Sequence, residues 1–230
     1  MAPLYSLTPH WPLMTDGPAT QSVFTTDTGN AGVYFGNVGT GSTPTKVVYT
    51  SNLGIANYTL TGSTSSSGQI AQYPIGPAQS GFPLSGSFTY FQTQAYNGAT
   101  PMGSPITYEV NCIQKYPNVR IKWKNRYGQF DYFDFYMVNR QSFSTEKRTY
   151  QPQLGTWQAS TLSYNDYDSS TLNYIADSKQ AISVNSFFIS EDYNDILKQL
   201  LVADEIYWMY DETNDNVRPL TITNQNIVFK

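Results

Sequence analysis

Histidine and cysteine are nearly absent from this sequence: one of each, His10 and Cys112. A lone cysteine excludes an internal disulfide and a thiolate metal cluster. A lone histidine in a proline-rich opening excludes zinc sites built on several His or Cys ligands, and His-paired nucleophiles unless His10 leaves the terminus. No catalysis, cofactor or resident metal is expected. Charge is also scarce, at 13% of residues against roughly 25% in an average soluble domain. The deficit is local, because residues 1–108 hold only Asp16, Asp27 and Lys46. A surface so poor in charge is expected to be covered, as interface cores are. A basic excess is missing too: the net charge of −4 argues against a nucleic-acid partner held by counterion release. No run approaches ~20 apolar residues, and the start lacks a basic segment followed by an apolar one, so no membrane partner is expected and synthesis is assigned to the cytoplasm.

Aromatic residues are plentiful, 15% of the chain with 19 Tyr, which suits a mainly β protein. Residues 1–30 carry Pro3, Pro9, Pro12 and Pro18 among Leu4, Tyr5, Leu7, Trp11, Leu13 and Met14. This predicts an extended arm, folded back on its own domain or packed on a neighbouring subunit. Residues 31–111 alternate β-prone runs (32–35, 46–50, 57–61, 87–96, 106–113) with Gly/Ser/Thr/Pro clusters, as in a small antiparallel sandwich. Residues 112–230 are expected to form a second β domain. In it Val119, Ile121 and Trp123 alternate with Arg120, Lys122 and Lys124, and a turn at 125–128 leads to a strand over 130–138. Strands are expected over 143–150 and 181–189, with a polar loop at 163–170. Ser190 offers an N-cap, and Tyr193, Ile196, Leu197, Leu200 and Leu201 share one face, predicting a helix over 191–203. Strands over 205–210 and 217–222 flank a turn at 211–216, and 227–230 reads as a short strand completing a sheet of this chain or a partner.

Several stretches invite chemistry. The run Lys115, Arg120, Lys122, Lys124, Arg126, interleaved with Tyr116, Trp123 and Tyr127, has the composition of a nucleic-acid groove. Against a negative chain it is better explained as a strand face whose charges pair across the hairpin, Lys124 near Asp131, or as a protein interface. Gly36 to Lys46 is rich in glycine but has Pro44, no lysine after a glycine and no following helix, so a hairpin loop is expected rather than a phosphate site. Carboxylates cluster at Asp166/Asp168, Asp192/Asp195, Asp204/Glu205 and Asp211/Glu212/Asp215; a hydrolase pair or a calcium site is weighed against solvated turns and helix ends, which account for them better.

Two resemblances follow from specific residues. Tyr90, Ala95, Asn97 and Gly98 resemble the last hairpin of fibronectin III-like and immunoglobulin-like modules. Over about residues 110–230, Arg120, Asn125, Arg126, Gly128, Phe130, Asp131, Phe133 and Phe135, then Glu146, Lys147 and Tyr150, resemble the hairpin and following strand of tail-associated virion structural proteins of tailed bacteriophages. Ser190–Tyr193, Leu200–Leu201 and Val217–Thr223 fit the same family's helix start and later strand. The resemblance implies a structural protein of the virion tail, baseplate or neck, made in the host cytoplasm. It would act by homo-oligomerisation, as a ring or trimer, and by docking to other tail proteins. Members of that family continue past the position of Lys230, which implies a last sheet finished by another subunit. The interface residues expected on this basis are Arg120, Lys122, Trp123, Lys124, Arg126, Tyr127, Phe130 and Tyr132, facing an acidic neighbour. The alternative function is a receptor- or carbohydrate-binding module using the aromatics of residues 82–96 against host surface glycan.

Overall fold

The structure, a computed structural model, describes residues 12–35, 43–60, 69–111, 115–158, 160–163, 165–186, 188–211 and 216–223. Expectations for His10, Cys112, the first eleven residues, the loop at 36–42, the turn at 212–215 and the strand at 227–230 lie outside the described residues. In chain order the elements are β1 (Thr20–Phe24), β2 (Asn30–Phe35), β3 (Lys46–Ser51), β4 (Gly54–Thr59), β5 (Gln69–Pro74), β6 (Tyr90–Asn97) and β7 (Thr100–Asn111). Then come β8 (Val119–Lys124), β9 (Phe130–Phe135), β10 (Arg140–Tyr150), β11 (Thr156–Gln158), β12 (Thr161–Ser163) and β13 (Leu172–Ser183). A 3-10 turn (Glu191–Tyr193) leads into helix α1 (Asn194–Val202), followed by β14 (Ile206–Asp211) and β15 (Asn216–Pro219). Among the described residues the protein is mainly β, with several sheets and one α-helix.

The chain divides into two compact units, Met1–Val138 with Asn185–Lys230, and Asn139–Val184. The expected boundary at 111/112 is not where this division falls. In the first unit a five-stranded sheet has the order β1-β7-β6-β3-β4, with β1 parallel to β7 and the other neighbours antiparallel, while β2 pairs with β5. The two sheets share one core. Val33 of β2, Ala71 and Tyr73 of β5, Val47 and Tyr49 of β3, Phe91 and Ala95 of β6, and Ile106 and Tyr108 of β7 are all in it. Alternation places them there, since β3 and β6 each turn every second residue inward. Burying one such large side chain contributes about 1.5–3 kcal/mol.

The five residues Thr20–Phe24, expected within the extended arm, form a sheet strand, and the described stretch before them folds back on its own unit. Leu13 is fully buried and bridges Val33, and Met14 N donates to Gly32 O at 2.9 Å. Strand β5 falls outside the expected strands because its alternation runs against hydrophobicity: Ile70 is exposed, while Ala71 and Tyr73 are buried. A four-stranded sheet of the first unit has the order β15-β14-β8-β9, and the β8–β9 hairpin forms where expected. The helix is also in its expected place: Ser190 Oγ accepts from Asp192 N at 3.3 Å, and Ile196 and Leu200 are buried. Residues 184–186 and 188–189, expected to continue a strand, are irregular.

Candidate functional site

The β8–β9 hairpin carries the eight residues expected to meet another protein, and its turn is built by one side chain. Asn125 Oδ1 accepts from Tyr127 N and Gln129 N, both at 3.0 Å, while its Nδ2 donates to Met14 O at 2.9 Å and Asp131 Oδ2 at 3.0 Å. Gly128 takes the left-handed conformation the turn requires, with φ +79°. Gln129 then packs so closely on Gly32 that a Cβ there would stand 2.3 Å from Gln129 Cγ. The hairpin is thus seated on the first part of the chain through its motif residues.

Its charges are matched internally. Arg120 is 1% exposed and pairs through Nη1 with Asp27 Oδ2 at 2.6 Å and with Asp134 Oδ2. Asp27 also accepts from Phe24 N at 2.7 Å, and the Tyr132 ring lies 4.9 Å from the guanidinium. Arg126 grips Asp16 with two bonds, Nε to Oδ2 at 2.6 Å and Nη2 to Oδ1 at 2.7 Å, and Tyr127 Oη donates to Oδ1 at 2.7 Å. Gln199 Nε2 of α1 adds a fourth bond to Asp16, at 2.6 Å. Lys124 pairs with Glu205 at 2.9 Å rather than with Asp131, because its cross-strand partner is Phe130 and Asp131 stands opposite Trp123. That bond and the Glu205 charge raise the Lys124 pKa above its ordinary value.

This arrangement sets out where the residues expected at an interface lie. Arg120 and Trp123 are buried in the chain itself, Trp123 at 0% exposure, because both faces of β8 are covered at those positions. Tyr132 is half-buried, its hydroxyl accepting from Asn30 N at 3.3 Å, and Phe130 is half-buried with its ring 6.2 Å from that of Tyr207 and 5.4 Å from Lys122 Nζ. Tyr127 is also half-buried, whereas Lys124 and Arg126 are exposed but paired. The two acids of residues 1–108 are both spent on arginines of this hairpin. Sequence alternation alone could not show it, since the partners are 93 and 110 residues away.

Beside the triad lies a small pocket bordered by Thr15, Gln21, Arg120, Asp131, Tyr132 and Asp134. Burial pushes the Asp131 pKa up from 3.8 to about 6, opposed by bonds from Asn125 and Thr15. A carboxyl whose folded pKa is raised stabilises the fold fully below the unfolded value of about 4 and loses that contribution as pH rises through about 6. Asp131→Asn is therefore expected to flatten the pH dependence of thermal unfolding between pH 4 and 6. Parallel melting curves of parent and variant across that range check this.

The aromatics of residues 82–96 are largely interior. Phe91 is fully buried, its ring 4.8 Å from that of Tyr108, 5.2 Å from Phe82, 5.8 Å from Phe88 and 6.1 Å from Tyr49. Tyr90 is exposed, at 40%. Among the described residues no group of three or more His, Cys, Asp or Glu is placed to hold a metal ion. Asp168 instead accepts from Asn165 N at 3.1 Å, closing its own loop.

The second unit supplies a surface that the hairpin does not. Strands β10 and β13 form a two-stranded antiparallel ribbon of eleven paired positions, with a bulge after Arg148. Every residue of β10, and all of β13 except the half-buried Ile182, is exposed. Phe143, Tyr150, Leu172, Tyr174 and Ile175 lie among them, as do Leu154, Leu162 and Tyr167 in the rest of the unit. An isolated two-stranded ribbon is marginally stable in water. No protein-family model, no curated protein and no solved structure matches this chain.

Proposed function

We propose that this chain is a non-catalytic structural protein of a tailed-phage virion, in its tail, baseplate or neck region, working by oligomerisation and docking to other tail proteins. The observation that carries the assembly part is the exposed β10–β13 ribbon. It presents a run of large apolar side chains on a two-stranded element that needs packing to be stable. The virion assignment is supported by the hairpin and strand residues between Arg120 and Tyr150.

The order β1-β7-β6-β3-β4 opposite β2-β5 supports an immunoglobulin-like sandwich for the N-terminal part. It corresponds to a G-F-C sheet extended by C′, with the first strand beside G, facing a B-E pair. The burial of Phe82, Phe88 and Phe91 in or against the core leaves the carbohydrate-binding alternative little aromatic surface in that stretch. Negative-stain imaging and a glycan array on one preparation test the proposal. Closed assemblies of uniform size with no glycan bound are expected; single particles that bind glycan reproducibly would overturn it.

A further inference from the structure

We infer that the β10–β13 ribbon is the contact through which two copies of this chain pair, stacked face to face and antiparallel about a two-fold axis. This rests on the assembly function proposed above and names its partner and register. One face of the ribbon carries Arg140, Ser142, Ser144, Glu146, Arg148 and Tyr150 from β10. Directly opposite them stand Ser183, Ala181, Lys179, Asp177, Ile175 and Leu172 from β13. The bulge places Tyr174 beside Tyr150, with ring centroids 6.2 Å apart at 69°. The face is thus apolar at the Tyr150 end, acidic at the Glu146–Asp177 rung, basic at Lys179 one rung further, and basic again at Arg140.

The Glu146–Asp177 rung sets two like charges directly across from one another, which destabilises a ribbon. Among the described residues neither has a cation within salt-bridge distance, and Arg148 and Lys179 have no acid within it. Two arrangements stack this face on a second copy by two-fold symmetry. If the axis runs along the strands, each rung meets itself, and four carboxylates converge. If the axis crosses the ribbon between the Ser144–Lys179 and Glu146–Asp177 rungs, the order reverses. Lys179 of each copy then lies over Asp177 of the other, Ile175 over Ala181, and Arg140 over the Tyr150 ring. Each contact occurs twice, as an isologous interface requires. Arginine over an aromatic ring is a device this chain uses elsewhere, with Arg218 4.3 Å from the Tyr210 centroid. The second unit as a whole carries four basic and four acidic residues, so it is neutral and two copies meet without net repulsion. A foreign partner chosen by charge would instead be matched to a net sign.

The test uses the full chain with Asp177→Lys, Lys179→Asp and the double exchange, read by sedimentation velocity with far-UV circular dichroism as the folding control. Both positions are exposed, so the spectra are expected to be unchanged. Each single exchange should weaken pairing by about tenfold or more, because it sets like charges over each other twice, and the double exchange should restore it. If the parent associates and all three variants associate equally, the ribbon is not the contact, while the assembly function stands. A double variant as weak as the singles also overturns the proposed register. A parent that stays monomeric overturns the assembly function itself.

Discussion

Arg120→Ala is expected to lower the unfolding free energy by about 3–5 kcal/mol, the cost of stranding buried charge. The arginine is 1% exposed and lies against Asp27 at 0% and Asp134 at 8%. Its removal leaves two buried carboxylates without their cation, and the chain must hydrate or protonate them or open the hairpin from its seat. Replacing all three together, as Arg120→Met with Asp27→Asn and Asp134→Asn, removes the charges with their partners and should cost much less. Urea unfolding of both proteins gives the comparison. If the single variant is as stable as the parent, the triad does not hold the hairpin to the first part of the chain.

Phe91→Ala should cost a comparable amount, about 3–5 kcal/mol, the usual range for deleting a fully buried aromatic side chain. Four rings surround it within 6.1 Å of its centroid. The Tyr49 hydroxyl is tied to the Pro74 carbonyl, which holds that ring back from the space. The same substitution also separates the two functions weighed for this stretch. A sugar-stacking role predicts lost glycan binding at unchanged stability, whereas a core role predicts a lower unfolding midpoint.

The parts of the fold legible in the sequence are those marked by β-prone composition between turn clusters, by alternation, or by a helix cap and apolar stripe. Strands β3 and β6 announce themselves by β-prone residues between turn clusters, β8 by alternation, and α1 by its cap and apolar stripe. Only Ala181–Ser183 of β13 fall within an expected strand; the rest is exposed on both faces, so no alternation marks it. Strand β1 is five residues long and follows four prolines. The basic stripe was legible as a strand but not as a buried one. Its face is closed by Asp27 and Tyr132, and only the folded chain brings Asp27 to that position. The scarcity of charge in residues 1–108 has a clearer meaning for the same reason: Asp16 and Asp27 are intramolecular anchors, and the uncovered apolar side chains cluster most densely in residues 139–184.

Whether this chain associates with itself is read out by its mass in solution. Light scattering on the full chain over a wide concentration range should give a mass that rises to a whole multiple of 25.8 kDa and stays there. A mass of 25.8 kDa up to the highest soluble concentration would contradict self-association.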